Sequence, residues 1–146
     1  MNKISILNRG MTPEELTRVN LGFDELSLEE GVELESSDRF SFVALQENTF
    51  IGCASGLANK NGENYSGWFY LTDLFVEKEY RNYGLGTKLL KAIEQYAVTA
   101  GIKHFWLWTS GDKALRFYKR HGYMKFTEME NWYSDGSSRV GLRKDF

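Results

Sequence analysis

The run Trp68-Phe69-Tyr70-Leu71-Thr72-Asp73-Leu74-Phe75-Val76 is aromatic and apolar enough to lie as a central strand. After it the hydrophobic period changes. Leu85, Leu89, Leu90, Ile93, Tyr96, Ala97 and Ala100 recur at helical spacing, and Gly101 stands where a helix-ending glycine belongs. Between strand and helix lies Tyr80-Arg81-Asn82-Tyr83-Gly84-Leu85-Gly86-Thr87. A buried strand feeding a long helix confines the chain to mixed α/β architecture. The same turn gathers unpaired backbone N–H groups at a helix N-terminus, where an anion is favoured. Gly84 and Gly86 allow close approach of the backbone, and Arg81 adds a fixed positive charge.

The remaining elements follow from period and caps. Residues 3–8 alternate weakly and predict a first strand. Thr12-Pro13-Glu14-Glu15 is a capping box with proline at the first helical position. Ser27-Leu28-Glu29-Glu30 repeats the box and predicts a second short helix. Phe40 to Leu45 and Phe50 to Leu57 pair as a hairpin through Gln46-Glu47-Asn48-Thr49, and Asn59 to Asn64 reads as a polar loop. Lys103 to Trp108 predicts a buried strand. Asp112 predicts a cap for a helix to about His121, closed by Gly122. Tyr123 to Glu130 and Arg139 to Lys144 predict two last strands. The expected fold is α/β (α+β): a mixed, mostly antiparallel central sheet of six to seven strands flanked by about four helices. With 146 residues, one domain over 1–146 is expected.

Composition narrows the function. Net charge is −2, which argues against general nucleic-acid binding. Residues 1–75 hold five bases and twelve acids; residues 76–146 hold thirteen bases and eight acids. Seven acids and no base lie between Asp24 and Asp38, either a solvated face or a wall attracting a cation. The basic second half suits a phosphate-bearing partner. Cys53 is the sole cysteine, so no internal disulfide exists. One cysteine with His104 and His121 cannot build an ordinary zinc site, so no metal is expected. No apolar run approaches the roughly 20 residues that cross a membrane. The first nine residues are too weakly apolar for a secretory leader, and a cytoplasmic setting is expected.

Other phosphate and nucleophile motifs fit poorly. A P-loop pattern is absent, and a dinucleotide fingerprint would need glycine where Leu89 stands. Gly52-Cys53-Ala54-Ser55-Gly56 has the wrong spacing for a nucleophile elbow. Cys53 reads as small core filler, and His104 and His121 read as structural.

Arg81-Asn82-Tyr83-Gly84-Leu85-Gly86 resembles the R/Q-x-x-G-x-G/A signature of the GNAT superfamily of N-acetyltransferases. Ala114-Leu115-Arg116-Phe117-Tyr118-Lys119-Arg120-His121-Gly122-Tyr123 resembles that family's second motif, A-x-x-F/L-Y-x-x-x-G-F/Y. The resemblance implies a GNAT-like sheet with splayed central strands, a single N-acetyltransferase domain and acetyl-CoA as co-substrate. It implies that Arg81, Asn82, Tyr83, Gly84, Leu85, Gly86 and Thr87 hold the pyrophosphate. It implies that Leu74, Phe75 and Val76 pair with the pantetheine arm, with the Val76 N–H on the thioester carbonyl. Tyr118 matches the residue that protonates the leaving thiolate. Many relatives carry asparagine where Gly111 stands, with Ser110 or Asp112 as substitutes.

The implied reaction is direct attack by a neutral amine in a ternary complex. Asp73 matches one acid that meets the substrate in diamine acetyltransferases; Thr72 stands where another would be. A cationic small amine, polyamine or aminoglycoside-like, is expected, with a protein lysine or N-terminal amine as the alternative. A non-catalytic acetyl-CoA sensor and a dinucleotide-binding module are the readings of another class. Relatives are often dimers, and Trp132 and Tyr133 could serve such an interface or cover the core.

Overall fold

The structure, a computed structural model, describes residues 3–146. They divide into two compact units, the first ending at Leu34 and the second spanning Glu35–Phe146.

The first unit is built on one helix, α1 (Pro13–Glu29). Its capping box is reciprocal: the Glu15 amide donates to Thr12 Oγ1 at 3.2 Å, and the Thr12 amide donates to Glu15 Oε1 at 2.8 Å. Arg9 adds a two-point clamp on the Glu15 carboxylate at 2.9 and 3.0 Å. Two expectations fail here. Residues 3–8 form no strand, because Ile6 and Leu7 break the alternation within one turn's length and strand pairing requires a partner edge. Ser27 does not start a second helix; α1 runs straight through it. Gly22 inside a helix costs only about 1 kcal/mol, which is too little to break a helix that no proline interrupts. Instead Ser27 accepts the closing bond, from the Val32 amide at 2.9 Å, around Gly31 at φ +76°.

The second unit is a six-stranded sheet in the order β1-β2-β3-β4-β6-β5. The strands are β1 (Glu35–Gln46), β2 (Thr49–Asn61), β3 (Asn64–Val76), β4 (His104–Thr109), β5 (Met124–Met129) and β6 (Arg139–Asp145). A 3-10 turn (Lys78–Tyr80) and α2 (Leu85–Thr99) join β3 to β4, and α3 (Asp112–Arg120) joins β4 to β5. All neighbouring pairs are antiparallel except β3 with β4. That exception is forced by α2, since a helical crossover returns the chain in the same direction. Among the described residues the six strands fall within the expected six to seven, and three α-helices with one 3-10 turn stand against the expected four or so helices.

Two local expectations shift and a third holds. Asn59 to Asn61 continue β2 and only Gly62 and Glu63 turn, because Gly62 at φ 60° takes the first central position of a two-residue hairpin turn. Asp112 is the first helical residue of α3 and Gly111 the cap, so no side-chain cap bond forms there. The β1–β2 turn is as expected, with Glu47 and Asn48 at φ 49° and 67°.

The core lies between the sheet and α2. Leu89, Leu90, Ile93 and Ala97 of α2 pack on Phe40, Ala54, Ala58, Phe69, Leu71, Phe105 and Leu107. Full burial of a Leu, Ile or Phe side chain is worth about 1.5–3 kcal/mol, so this face carries most of the unit's stability. Beneath it Glu94 accepts from Tyr123 Oη at 2.7 Å and pairs with Lys144 at 3.2 Å, which satisfies the one buried carboxylate.

Candidate active site

The two central strands part. Only Trp68–His104, Phe69–Phe105 and Tyr70–Trp106 face each other as β3–β4 partners. Beyond them β3 stays with β2 as far as Gly52–Val76, and β4 stays with β6 as far as Thr109–Val140. Each outer neighbour thus holds one arm of a fork. A bulge at Thr72, opposite the Ser55/Gly56 step, adds twist to the β3 arm. It also resets the alternation. Phe69 and Leu71 face the core before it, and Leu74 and Val76 pack against the core after it. Thr72 and Asp73 are left on the opposite face.

Opening the ladder exposes main-chain groups. The Glu77 amide donates to Ile51 O at 2.8 Å. Alternation along an antiparallel pair then turns the N–H groups of Leu74 and Val76 away from β2, into the fork. Val76 O accepts from Arg81 Nε at 2.9 Å, so Arg81 ties the turn to the strand end. Gly84 caps α2 at φ +84°, a conformation strained for any side chain with a Cβ. Among the described residues, the amides of residues 82–87 donate to no chain atom.

A cavity of about 650 Å³ fills the angle between fork, turn and α3. Of the residues singled out in the sequence, Leu74, Phe75, Val76, Arg81, Asn82, Gly84, Leu85, Gly86, Thr87 and Tyr118 line it. Tyr83 does not; it is 82% exposed and points to solvent. Asp73 does not either. It lies exposed on the other face, accepting from Thr72 Oγ1 at 2.7 Å with Arg39 at 3.9 Å. Ser110, Gly111 and Asp112 all reach the cavity.

Tyr118 is held edge-on between Phe117 and Tyr123. Burial alone pushes its phenol up to about 12, so it carries its proton at neutral pH. Two cations overlooked in the sequence, Lys113 and Arg120, join Arg81 in the lining. Their signal was the i, i+4, i+7 spacing of Lys113, Phe117 and Arg120, one face of a short basic helix. His121, read from the sequence as structural, braces the turn from the helix side. Its Nε2 lies 3.0 Å from Thr87 Oγ1, and burial lowers its pKa, favouring the neutral ring. Burial likewise raises the Cys53 thiol, with Asp73 adding to the effect, in keeping with a packing role.

A pocket of this size with the free amides of five lining residues of the turn, three cations and a neutral phenol fits an elongated ligand bearing phosphates and a thioester. A Cβ on Gly86 would meet Phe117 at 3.7 Å and Val76 at 3.9 Å, so only the cavity itself requires a bare backbone there.

Comparison with known proteins agrees. Thialysine N-epsilon-acetyltransferase of Sus scrofa is 37% identical over 78 residues, 48% of this chain and 45% of its own length. The chain thus spans about half the length of that curated relative. N-alpha-acetyltransferase 30 of Schizosaccharomyces pombe is 33% identical over 101 residues, 67% of this chain and 66% of its own length. A crystal structure of an acetyltransferase from Bacillus cereus shares the fold with a TM-score of 0.78 at 22% identity, covering 97% of this chain and 98% of that one. The sequence profile described as "Acetyltransferase (GNAT) family" matches residues 11–123, through the glycine turn and the Tyr118 helix alike, and the chain belongs to that family.

Proposed function

We propose that this protein is an acetyl-CoA-dependent N-acetyltransferase acting on an amine-bearing small molecule, with 1–146 serving as one catalytic domain. The observation that carries the reading is the pairing, in one cavity, of the free amides of Asn82 and of residues 84–87 with the unpartnered, protonated Tyr118 phenol.

Acetyl-CoA supplies an acetyl group activated as a thioester. The chain's own residues do the rest. Amides 82–87 would hold the pyrophosphate at the positive end of α2, with Arg81, Lys113 and Arg120 adding charge. Leu74 and Val76 would pair with the pantetheine arm, and the Val76 N–H would donate to the carbonyl oxygen on which charge develops. Tyr118 would hold a proton at Oη for the departing sulfur; its raised pKa keeps that proton in place across the physiological range. Asp73, exposed on the face opposite the cavity, would take a proton from an amine arriving on that face or hold its charge. Proximity in a ternary complex supplies much of the acceleration, and no chain nucleophile is needed.

Within this class, the exposed Asp73 carboxylate, met by Arg39 only at 3.9 Å, supports a cationic acceptor of polyamine or aminoglycoside-like character. The acidic 24–38 segment supports it less. Glu25 is paired with Arg18, and Asp38 with Lys60 and Tyr65, so part of its charge is already neutralised. The similarity to N-alpha-acetyltransferase 30 favours a second reading, acetylation of a protein N-terminus. A thiol-release assay with acetyl-CoA against small amines and N-terminal peptides tests both. Turnover of small amines supports the first reading and peptide-only turnover the second. Binding of acetyl-CoA without turnover of any amine would leave a sensor.

A further inference from the structure

The face of the sheet opposite the cavity carries a charge the reaction chemistry above does not use. Along β3 and β4, outward-facing Trp68, Tyr70, Trp106 and Trp108 form an aromatic stripe; Tyr70 and Trp106 stack at the fork's apex with centroids 4.1 Å apart. Two arginines of β6 lie on this stripe, and they differ in one respect. Arg143 sits over Trp68 at 4.7 Å and is neutralised by Asp145 at 2.7 Å. Arg139 sits over Trp108 at 4.8 Å and over Trp132 at 5.4 Å, and has no acidic partner or hydrogen-bond acceptor among the described residues.

Arg139 is not a floppy surface cation. It is half-buried, with its guanidinium carbon within cation–π distance of two indoles, which limit its freedom while its N–H groups donate to no atom among the described residues. Its strand position is set by the Met129–Arg139 and Thr109–Val140 pairings. Trp132 is braced in turn: its amide donates to Ser137 O at 3.1 Å, and Asp135 Oδ1 holds the Ser137 hydroxyl at 2.6 Å and amide at 3.0 Å. Gly141 completes the arrangement. A Cβ there would lie 2.6 Å from Thr127 and 3.0 Å from the Phe126 ring, so the missing side chain lets Phe126 settle beside Trp108. The register places Arg139 one residue beyond Thr109, at the open end of the β4 arm. Asp73 lies on the β3 arm of the same face. The fork therefore presents a carboxylate on one arm and, beside the other, a guanidinium held near two indoles and unpaired among the described residues.

We propose that Arg139 is a specificity-determining residue, binding a carboxylate carried by the amine acceptor. The acceptor is then an amino acid-like compound, cationic at the amine that reacts and anionic further along. A planar guanidinium with a free edge matches a carboxylate in two-point geometry, and flanking rings exclude water from the contact. This inference rests on the N-acetyltransferase reading for the reaction but not for the binding.

The test uses L-lysine and 1,5-diaminopentane, which differ by one carboxylate, on the full chain. Tryptophan emission is titrated with each amine in the absence of coenzyme, and kcat/KM is measured with acetyl-CoA. The expected result is tighter lysine binding and a kcat/KM ratio favouring lysine by roughly ten- to a hundredfold, the range for a hydrogen-bonded charge pair. In Arg139→Gln the ratio should fall toward one; in Arg139→Lys, which keeps charge but loses the planar fork, it should fall part-way. Equal binding of the two amines, or a ratio untouched by both variants, overturns the proposal. If neither amine is turned over, the emission titration by itself decides whether Arg139 selects the carboxylate, and the reaction is decided separately by the wider thiol-release assay.

Discussion

The two faces of the fork are built by opposite means. The cavity face is made largely of main chain: amides freed by a helix start, amides turned inward by a parted ladder, and glycines that let a ligand approach them. The outer face is made of side chains: indoles, a phenol ring, Asp73 and Arg139, contributed by β3, β4, β6 and the loop before β6. Main-chain chemistry recognises what every coenzyme molecule has in common, its phosphates and its amide-bearing arm. Side-chain chemistry recognises what distinguishes one acceptor from another. A division of this kind lets a family keep one donor site while acceptors vary.

The sharpest way to break that comparison is Tyr118→Phe. The variant should bind acetyl-CoA as the parent does yet lose roughly 10²- to 10⁴-fold in kcat, the range for general acid catalysis. Unchanged turnover in a steady-state assay would remove Tyr118 from the proton-holding role.

Gly86→Val tests the bare backbone. The cavity admits a Cβ but a branched side chain would occupy the space beside amides 82–87. Affinity for acetyl-CoA by calorimetry should drop roughly ten- to a hundredfold, the size of an ordinary steric misfit, while the thermal midpoint moves little. Parental affinity would mean the phosphates lie elsewhere.

Next comes the alkaline limb of stability. A phenol whose folded pKa is about 12 against about 10 unfolded contributes stability that is complete below pH 10. That contribution is lost as pH rises through 12, and on this shift it amounts to about 2–3 kcal/mol. Denaturant titrations from pH 9 to 12 should show the decline, and Tyr118→Phe should flatten it. Tyr123, raised further by burial and by Glu94, adds to the slope in both proteins.

The smallest expected effect sharpens the outer face. Trp132→Ala removes one of the two rings on Arg139, worth about 0.5–1 kcal/mol. The lysine-to-diaminopentane ratio should shrink two- to fivefold, less than in Arg139→Gln. A loss as large as that of the arginine variant would show that Trp132 itself, rather than its grip on Arg139, binds the acceptor.

Legibility followed the same division. The turn from Arg81 to Thr87 was readable because its chemistry is contiguous: glycines, a fixed cation and the start of an apolar helical stripe within a few residues. Tyr118 was readable on the helix that ends at Gly122. Tyr83 belonged to the motif yet faces solvent, since a motif spells out backbone shape and not every side chain's direction. The predicted strand at 3–8 and helix at Ser27 failed because weak alternation and a repeated capping pattern are local preferences worth about a kilocalorie each.

From its amino acids alone the chain settled the strand–turn–helix that lines the cavity, the class of the fold and the phenol that joins that lining. Each depends on interactions within a dozen or so residues. Only the folded molecule decided that Asp73 leaves the cavity face and that Arg139 arrives at the fork between Trp108 and Trp132. The first depends on a bulge at Thr72, the second on strand register between β4, β5 and β6. Bulge and register are set by pairing between distant segments, where a one-residue slip turns every side chain to the other face.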